Sequence, residues 1–539
     1  MTGERWRRYN KSSVIAAVEN LGEVSFKNLL GYVWDYVASR RTELILASDD
    51  GKLDMTPDES NAFIRRCITE YIDERQPSVT GFVNENGQKE LTRLIKNLDD
   101  IMTGYSVLTQ AFLDPTLTEI QVNAYNSIWI ERNGKFSRYY DEVTGKPVQF
   151  MDADELMNFI NKFLINSPSL LDNSNAKAIG NAITPEGYRV AAIGPAAMAE
   201  DKGKEYGRQK SPACVIRKFS DKIISGQDLI NWYTSSDDMD KFIGCLGNNK
   251  ATVVFGGSTG SGKTVNLQRC IDGFDDDLRV ISAEKDSELR LRRFAADGTL
   301  TNNVIQLEYL PENKSKTYTT FHNTMENEFN QMLRFTPTTI VFGELRSDDE
   351  INLIPRATSA GHNIMCTLHT DTPEQCIERI TQAVMRSSPG ASKIDVMQTI
   401  CSAIDIVVIP SRMKDHTRKI LFISEIVGCE VKDGVALPIV NHLWKFKQRG
   451  YVMNPETKKY MTYGEHVRLN PISEKLFEKW SRVGMEPEME EFLTRPIYKE
   501  WIDPISHKTH TYEPCYYNGK RSPYAYPPSY KQRIVSEVR

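Results

Sequence analysis

The stretch ATVVFGGSTGSGKT, residues 251–264, decides the fold. Its apolar run Val253-Val254-Phe255 enters a loop spelling Gly257-x-x-x-x-Gly262-Lys263-Thr264, and Val265–Arg269 continues without a helix breaker. Strand, glycine-rich loop and helix, in that order, are what a phosphate-binding loop requires. Glycines let backbone N–H groups turn inward around phosphate oxygens. The helix start adds unpaired N–H groups and the positive end of its dipole. Gly257, Ser258, Thr259, Gly260, Ser261 and Gly262 are therefore expected to cradle phosphate. Lys263 supplies charge for the β- and γ-phosphates, and the Thr264 hydroxyl is a ligand for Mg²⁺. The motif implies a bound ATP or GTP.

Working outward, residues 227–428 alternate apolar strands with helical segments, which predicts a mainly parallel sheet covered on both faces. Val280-Ile281, Thr338–Phe342, Asn363–His369, Asp405–Ile409 and Ile420–Val427 read as further strands. Ser347-x-x-Glu350 is a capping box, and Thr372-Pro373-x-Gln375 starts another helix with proline in its first turn. Upstream, residues 96–226 read as a smaller α/β domain. Its strands are Thr118–Val122, Ser127–Arg132, Lys135–Tyr140, Tyr188–Ile193 and Cys214–Lys218, with a hairpin signal at Asn133-Gly134. Asp152-x-x-Glu155 caps a helix whose Leu156, Phe159, Ile160, Phe163 and Leu164 make one apolar face. Residues 1–95 read as a helical extension with a buried stripe at Leu29, Leu30, Val33, Tyr36 and Val37. Residues 429–539 read as an irregular extension with a short helix at Glu474–Trp480. Its Tyr- and Pro-rich tail from Tyr512 is expected to be dispensable.

With 539 residues, the chain exceeds what one core supports. A 40% hydrophobic and 26% charged composition is that of an ordinary soluble protein, and a net charge of −5 gives no reason to expect nucleic acid or acidic lipid. No apolar run approaches the roughly 18–20 residues of a membrane span, and the basic N-terminus lacks the apolar segment of a secretory signal. Nine scattered cysteines without a C-x-x-C pair read as reduced thiols, hence a cytosolic protein.

Phosphoryl transfer needs a second acidic site for Mg²⁺ or the attacking water. Glu344 ends the strand Thr-Ile-Val-Phe-Gly, where such a site belongs, and Glu284 and Glu288 follow another strand. The ordered motifs GGSTGSGKT, ISAEKDSEL, TTIVFGELRSDDE and SAGHNIMCTLHTDTPEQCIERI resemble the ATPases of type II and type IV secretion systems. The likeness runs from about Glu90 to Gly428 and is nearest the tight-adherence pilus and conjugation branch. It implies a RecA-like P-loop motor domain that hydrolyses ATP with Mg²⁺ in a homohexameric ring. The ring would sit at the cytoplasmic face of the membrane, bound to inner-membrane platform or secretion-channel proteins, with no sequence-specific nucleic-acid binding.

By the same resemblance Glu344 polarises the attacking water and adjoins the metal, while Glu284 or Glu288 helps around the metal and γ-phosphate. His369 senses the γ-phosphate state. Arg189, Arg217 and Arg334 contact phosphates of the same or a neighbouring subunit. Two positions depart from the family pattern: Lys285 stands where an acid is usual, with Asp286 one place later, and Arg356 replaces a small or apolar residue. The first departure admits a non-hydrolysing, nucleotide-dependent scaffold. A DNA-translocating motor is the other alternative, disfavoured by the net charge.

Overall fold

The computed structural model describes residues 24–47, 55–84, 86–132, 135–142, 144–164, 171, 178–184, 186–199, 210–218, 223–285, 287–309, 325–453, 460–485, 490, 493, 501–502, 509–510 and 513–521. The chain divides into two compact units, Met1–Asp221 and Lys222–Arg539.

The first unit opens with three helices, α1 (Phe26–Ala47), α2 (Pro57–Arg75) and α3 (Leu91–Met102). They bury Leu29, Val33 and Val37 of the expected stripe against Ile68, Ile72, Leu94 and Leu98. Thr56 and Glu59 close a reciprocal cap at the start of α2, ahead of Pro57, which needs no N–H partner there. The polar break at Ser48–Lys52 lies outside the described residues.

A six-stranded antiparallel sheet follows, in the order β3-β2-β1-β6-β5-β4. Its strands are β1 (Leu117–Ala124), β2 (Ser127–Arg132), β3 (Lys135–Arg138), β4 (Ile179–Ile183), β5 (Arg189–Ile193) and β6 (Ala213–Arg217). Strand alternation sends Ile120, Val122, Ile128, Ile130, Val190 and Ile216 to one face. There they meet the apolar face of α4 (Ala153–Leu164). Asp152 accepts from the Glu155 N–H as expected, while the Glu155 carboxylate reaches back one residue further, to the Met151 N–H.

The second unit is organised by a mixed sheet. Six strands are parallel: β7 (Val253–Gly256), β8 (Val280–Glu284), β9 (Val304–Glu308), β10 (Thr339–Phe342), β11 (Asn363–Leu368) and β12 (Ile406–Arg412). Their order is β9-β8-β10-β11-β7-β12. One strand, β11, separates loop strand β7 from acidic strand β10, the arrangement of a RecA-like P-loop domain. Every residue of β7, β8 and β10 is buried, so each reads as a continuous apolar run. Helices α5 (Asp237–Cys245), α6 (Lys263–Asp272), α7 (Met325–Arg334), α8 (Pro373–Ser387) and α9 (Lys393–Ala403) cover its faces.

The sheet does not stop at Gly428. β13 (Arg418–Lys432) passes through it, and β14 (Val435–Met453) and β15 (Tyr460–Arg468) add antiparallel strands to the same sheet. Residues expected to be irregular are thus long strands. Trp444 of β14 lies 4.8 Å from the Phe242 ring, and Leu476 and Trp480 of α10 (Glu474–Ser481) enter the core that supports β7.

The expected dispensable tail also needs correcting, as far as it is described. Glu513–Pro514 pairs with β15, and Cys515 and Tyr517 are buried. The Tyr517 hydroxyl lies 2.7 Å from His466 Nδ1 and accepts from the His466 N–H, while His466 Nε2 faces the Ile420 carbonyl at 3.1 Å. These partners suit a neutral imidazole with its proton on Nε2.

Burial, with the nearby Lys419 charge, pushes the His466 imidazole down to about 3. The unfolded chain takes up this proton near the ordinary value of 6.5. Stability from the neutral folded imidazole is therefore complete above that pH and drains away as pH falls from 6.5 towards 3. Urea midpoints taken from pH 7 to pH 4.5 should decline less steeply in His466→Gln than in the parent. Equal slopes would remove His466 as the source.

Candidate functional site

The loop after β7 is built around backbone positions that side chains cannot take. Gly260 and Gly262 have φ of +73° and +97°. A Cβ on Gly257 would stand 2.4 Å from Ser261 Oγ and 2.6 Å from the Pro410 carbonyl oxygen. Lys263 opens α6 and is buried, with its ammonium donating to the loop's own carbonyls, Gly257 at 2.9 Å and Ser258 at 3.0 Å. Ser261 Oγ is buried with no hydrogen-bond partner among the described residues. A cradle with an orphaned hydroxyl and an inward ammonium fits an anion carrying several oxygens. Thr264, half-buried in the first helical turn, follows directly.

The parallel register brings the carboxyl ends of β10 and β11 beside this loop. Lys263 Nζ lies 3.5 Å from His369 Nδ1, and His369 Nε2 lies 2.8 Å from Glu344 Oε1. A neutral imidazole protonated on Nε2 satisfies both contacts. Arg346 binds the other Glu344 oxygen through Nε at 2.9 Å and Nη2 at 2.5 Å. Burial pushes the Glu344 carboxyl up, but Arg346, His369 and Lys263 outweigh it and leave the group below the usual carboxylate value. It is an ionised acid at neutral pH.

Two residues that sequence reasoning missed hold this row. Thr367 donates to the Gly343 carbonyl at 2.7 Å, and Arg379 of α8 donates to the His369 carbonyl at 2.6 Å. An i, i+10 contact from a helix carries no local sequence signal.

Glu284 sits deeper. Its oxygens accept from the Glu288 N–H, the Leu289 N–H and Gln306 Nε2 at 3.1–3.3 Å. Burial pushes the carboxyl up to about 7, because desolvation outweighs those bonds. A Cβ on Gly343 would lie 2.7 Å from Glu284 Cγ, so glycine before Glu344 makes room for the Glu284 side chain. Glu288 is partly buried and Lys285 is exposed, while Asp286 lies outside the described residues.

Of the three predicted arginines, two belong to the first unit and one to the second. Arg189 and Arg217 are cross-strand partners on β5 and β6 of the first unit, on the sheet face away from α4, with Glu119 beside Arg217. Arg334 is exposed at the end of α7, just before β10 begins. That is the amino edge of the sheet, whereas the loop and Glu344 occupy the carboxyl edge. Within its own unit Arg334 therefore lies at the opposite edge of the sheet from the phosphate-binding loop. Arg356, the other departure, pairs with Glu326 at 3.0 Å and covers the Phe329 ring. It ties two helices and leaves the loop untouched.

A second pair of arginines, also missed, does reach the loop. Arg412 and Arg418 face each other across β12 and β13, and Arg418 Nε donates to the Gly260 carbonyl at 2.9 Å.

Residues 104–435, more than half the chain, match the family model described as type II/IV secretion system protein. The chain is 23% identical over 299 residues to the uncharacterised protein MJ0900 of Methanocaldococcus jannaschii, covering 54% of this chain and 49% of that protein. It thus spans about half the length of that relative. It is 24% identical over 296 residues to the type IV secretion system protein VirB11 of Brucella suis, covering 51% of this chain and 75% of VirB11. Among solved structures it is similar to the Legionella pneumophila ATPase DotB, with 15% identity, a TM-score of 0.39 and coverage of 72% and 84% of the two chains. On the strength of the family match, which takes in the glycine-rich loop, Glu344 and His369 alike, this chain is a member of the type II/IV secretion system protein family.

Proposed function

We propose that the protein is an ATP-hydrolysing motor of a secretion, pilus-assembly or conjugation machine. The observation that carries this reading is the unbroken row Lys263–His369–Glu344 at the carboxyl edge of the sheet. It links the group that meets phosphate to an ionised acid able to accept a proton from water.

Phosphate entering the loop draws the Lys263 ammonium from the Gly257 and Ser258 carbonyls, and the Ser261 hydroxyl gains the partner it lacks. Lys263 also leaves His369 Nδ1, so the imidazole registers the arrival and passes it to Glu344 through Nε2. Glu344 orients the attacking water. Each of its oxygens offers two lone-pair directions, so capacity remains beside Arg346 and His369. Glu284 shapes the floor by clamping the Glu288–Leu289 backbone, and Glu288 stands at the rim. Mg²⁺, when bound, would neutralise phosphate charge. Thr264 would be its protein ligand, with Glu344 near it. Among the described residues no three acidic, His or Cys side chains gather to hold a metal alone, which suits a cation shared with the nucleotide.

Arg189 and Arg217 are assigned to phosphates at the border between subunits of a homohexamer. An arginine supplied from a neighbour is worth ~10³–10⁵ in rate in related systems. Among the described residues no helix is long and apolar enough to cross a membrane. By family membership, the ring is assigned a peripheral place on the cytoplasmic face, held by membrane-platform partners. The scaffold alternative weakens because the Lys285 side chain points to solvent while Glu344 is in place.

Lys263→Ala should lower affinity for Mg-ATP by roughly 10- to 150-fold, since the loss of a charge-assisted contact costs about 1.5–3 kcal/mol. Titration with a fluorescent ATP analogue reads this directly. Undiminished affinity would defeat the assignment.

A further inference from the structure

We propose that Arg412 and Arg418 bind the α-phosphate and ribose end of the nucleotide and set its affinity without entering the chemical step. The inference rests on nucleotide binding at the loop, which Lys263→Ala tests separately.

The two guanidiniums come from one hairpin. Arg412 closes β12, Arg418 opens β13, and the two are register partners, so both side chains leave the same face. Both lie against the loop on its glycine side. Arg418 Nε holds the Gly260 carbonyl at 2.9 Å. A Cβ on Gly260 would stand 3.5 Å from Arg412 Nη1, and one on Gly262 would stand 3.5 Å from Arg418 Cδ. A third cation, Lys263, lies in the same loop, and guanidiniums suit a phosphate there because their planar fork matches its oxygens.

Strand order says which part of the ligand they meet. β7, which carries the loop, lies between β11 and β12. His369 follows β11 and Glu344 follows β10, so the acid and its imidazole stand on one side of the loop. The γ-phosphate must point there for water to be oriented by Glu344. The other end of the ligand, α-phosphate and ribose, then points towards β12 and the arginine pair. That end is common to ATP and ADP. Replacing either arginine should weaken both nucleotides alike, by about 10- to 100-fold for one lost charge-assisted contact. Turnover at saturating ATP should stay within about twofold. The Arg418 bond to Gly260 adds a positioning role, because it fixes the peptide between the two left-handed glycines.

The experiment measures ATP and ADP affinity, KM and kcat for Arg412→Ala, Arg412→Lys, Arg418→Ala and Arg418→Lys in the full chain. Melting of the nucleotide-free protein serves as the control for folding. The expected result is an equal loss for ATP and ADP, a raised KM with kcat kept, and partial recovery with lysine. The nucleotide-free melting temperature should stay close to that of the parent. Wild-type ADP affinity in all four variants would overturn the proposal. So would a lowered kcat with KM unchanged, or weaker ATP binding with ADP binding intact. Absence of nucleotide binding in the parent protein would instead strike at the underlying reading.

Discussion

Glu344→Gln should bind Mg-ATP as tightly as the parent and hydrolyse it about 10²–10⁴-fold more slowly, the range lost when a positioned general base is removed. The amide keeps the size of the side chain and can still face His369 Nε2 through its oxygen. The contact to Arg346 weakens because one partner is no longer charged. What disappears is an acceptor that takes a proton, and that is needed only as water attacks. Equal falls in kcat and kcat/KM with unchanged affinity are the signature of an interaction made in the transition state. Burst measurements with radiolabelled ATP separate the two quantities. Turnover near the parent rate would move the role to Glu288 or Glu284. Glu284 is poorly placed for it, since both oxygens already serve the Glu288–Gln306 clamp.

Removal of residues 512–539 is expected to have an effect of comparable size, on folding rather than on chemistry. Tyr517 is 3% exposed, bonded to His466 and set 5.1 Å from the Tyr233 ring. Asn518 and Gly519 donate their backbone N–H groups to the Asp237 carboxylate at 2.8 and 2.7 Å, at the start of α5. Tyr517→Ala alone should cost about 3–5 kcal/mol, as large aromatic truncations do. The deletion adds loss of Cys515 and of the pairing to β15. Calorimetry should show the second unit melting well below its parent temperature, with ATP binding lost in parallel. Parent-like melting of the truncated chain would mean that the segment only decorates the surface.

Elements whose partners lie close in sequence are legible in it, and those held by distant residues are not. The loop, the acidic strand and the strand before His369 were legible because each is an apolar run ending in a short polar motif, and the capping box at Ser347 is local by nature. β14 and β15 were not. β14 contains Pro438 and the charged run Lys445, Lys447 and Arg449, which argue against a strand when taken locally. β15 buries Glu465, His466 and Arg468, residue types that usually mark a surface. Their burial is tolerated through distant partners: Arg449 pairs with Glu465 across the strands, and Tyr517 serves His466. The same distance hid Arg418, whose hydrogen bond to Gly260 spans 158 residues of sequence, and Arg412 beside it.

The seating of Cys515 in the core that also holds Val253 and Phe255 of β7 has a consequence for biosynthesis. Between Val253 and Cys515 the ribosome must add 262 residues (515 − 253). At a synthesis rate of about 5–20 residues per second, that is roughly 13–52 s. For all of that time β7 lacks part of its final cover, and its parallel neighbours arrive late, β11 at Asn363 and β12 at Ile406. The first unit has no such wait, since its sheet is complete once Arg217 has emerged. Nascent chains should therefore carry a finished first unit joined to an open, strand-rich second one. Such an intermediate is the species most exposed to aggregation and to chaperones while the protein is being made.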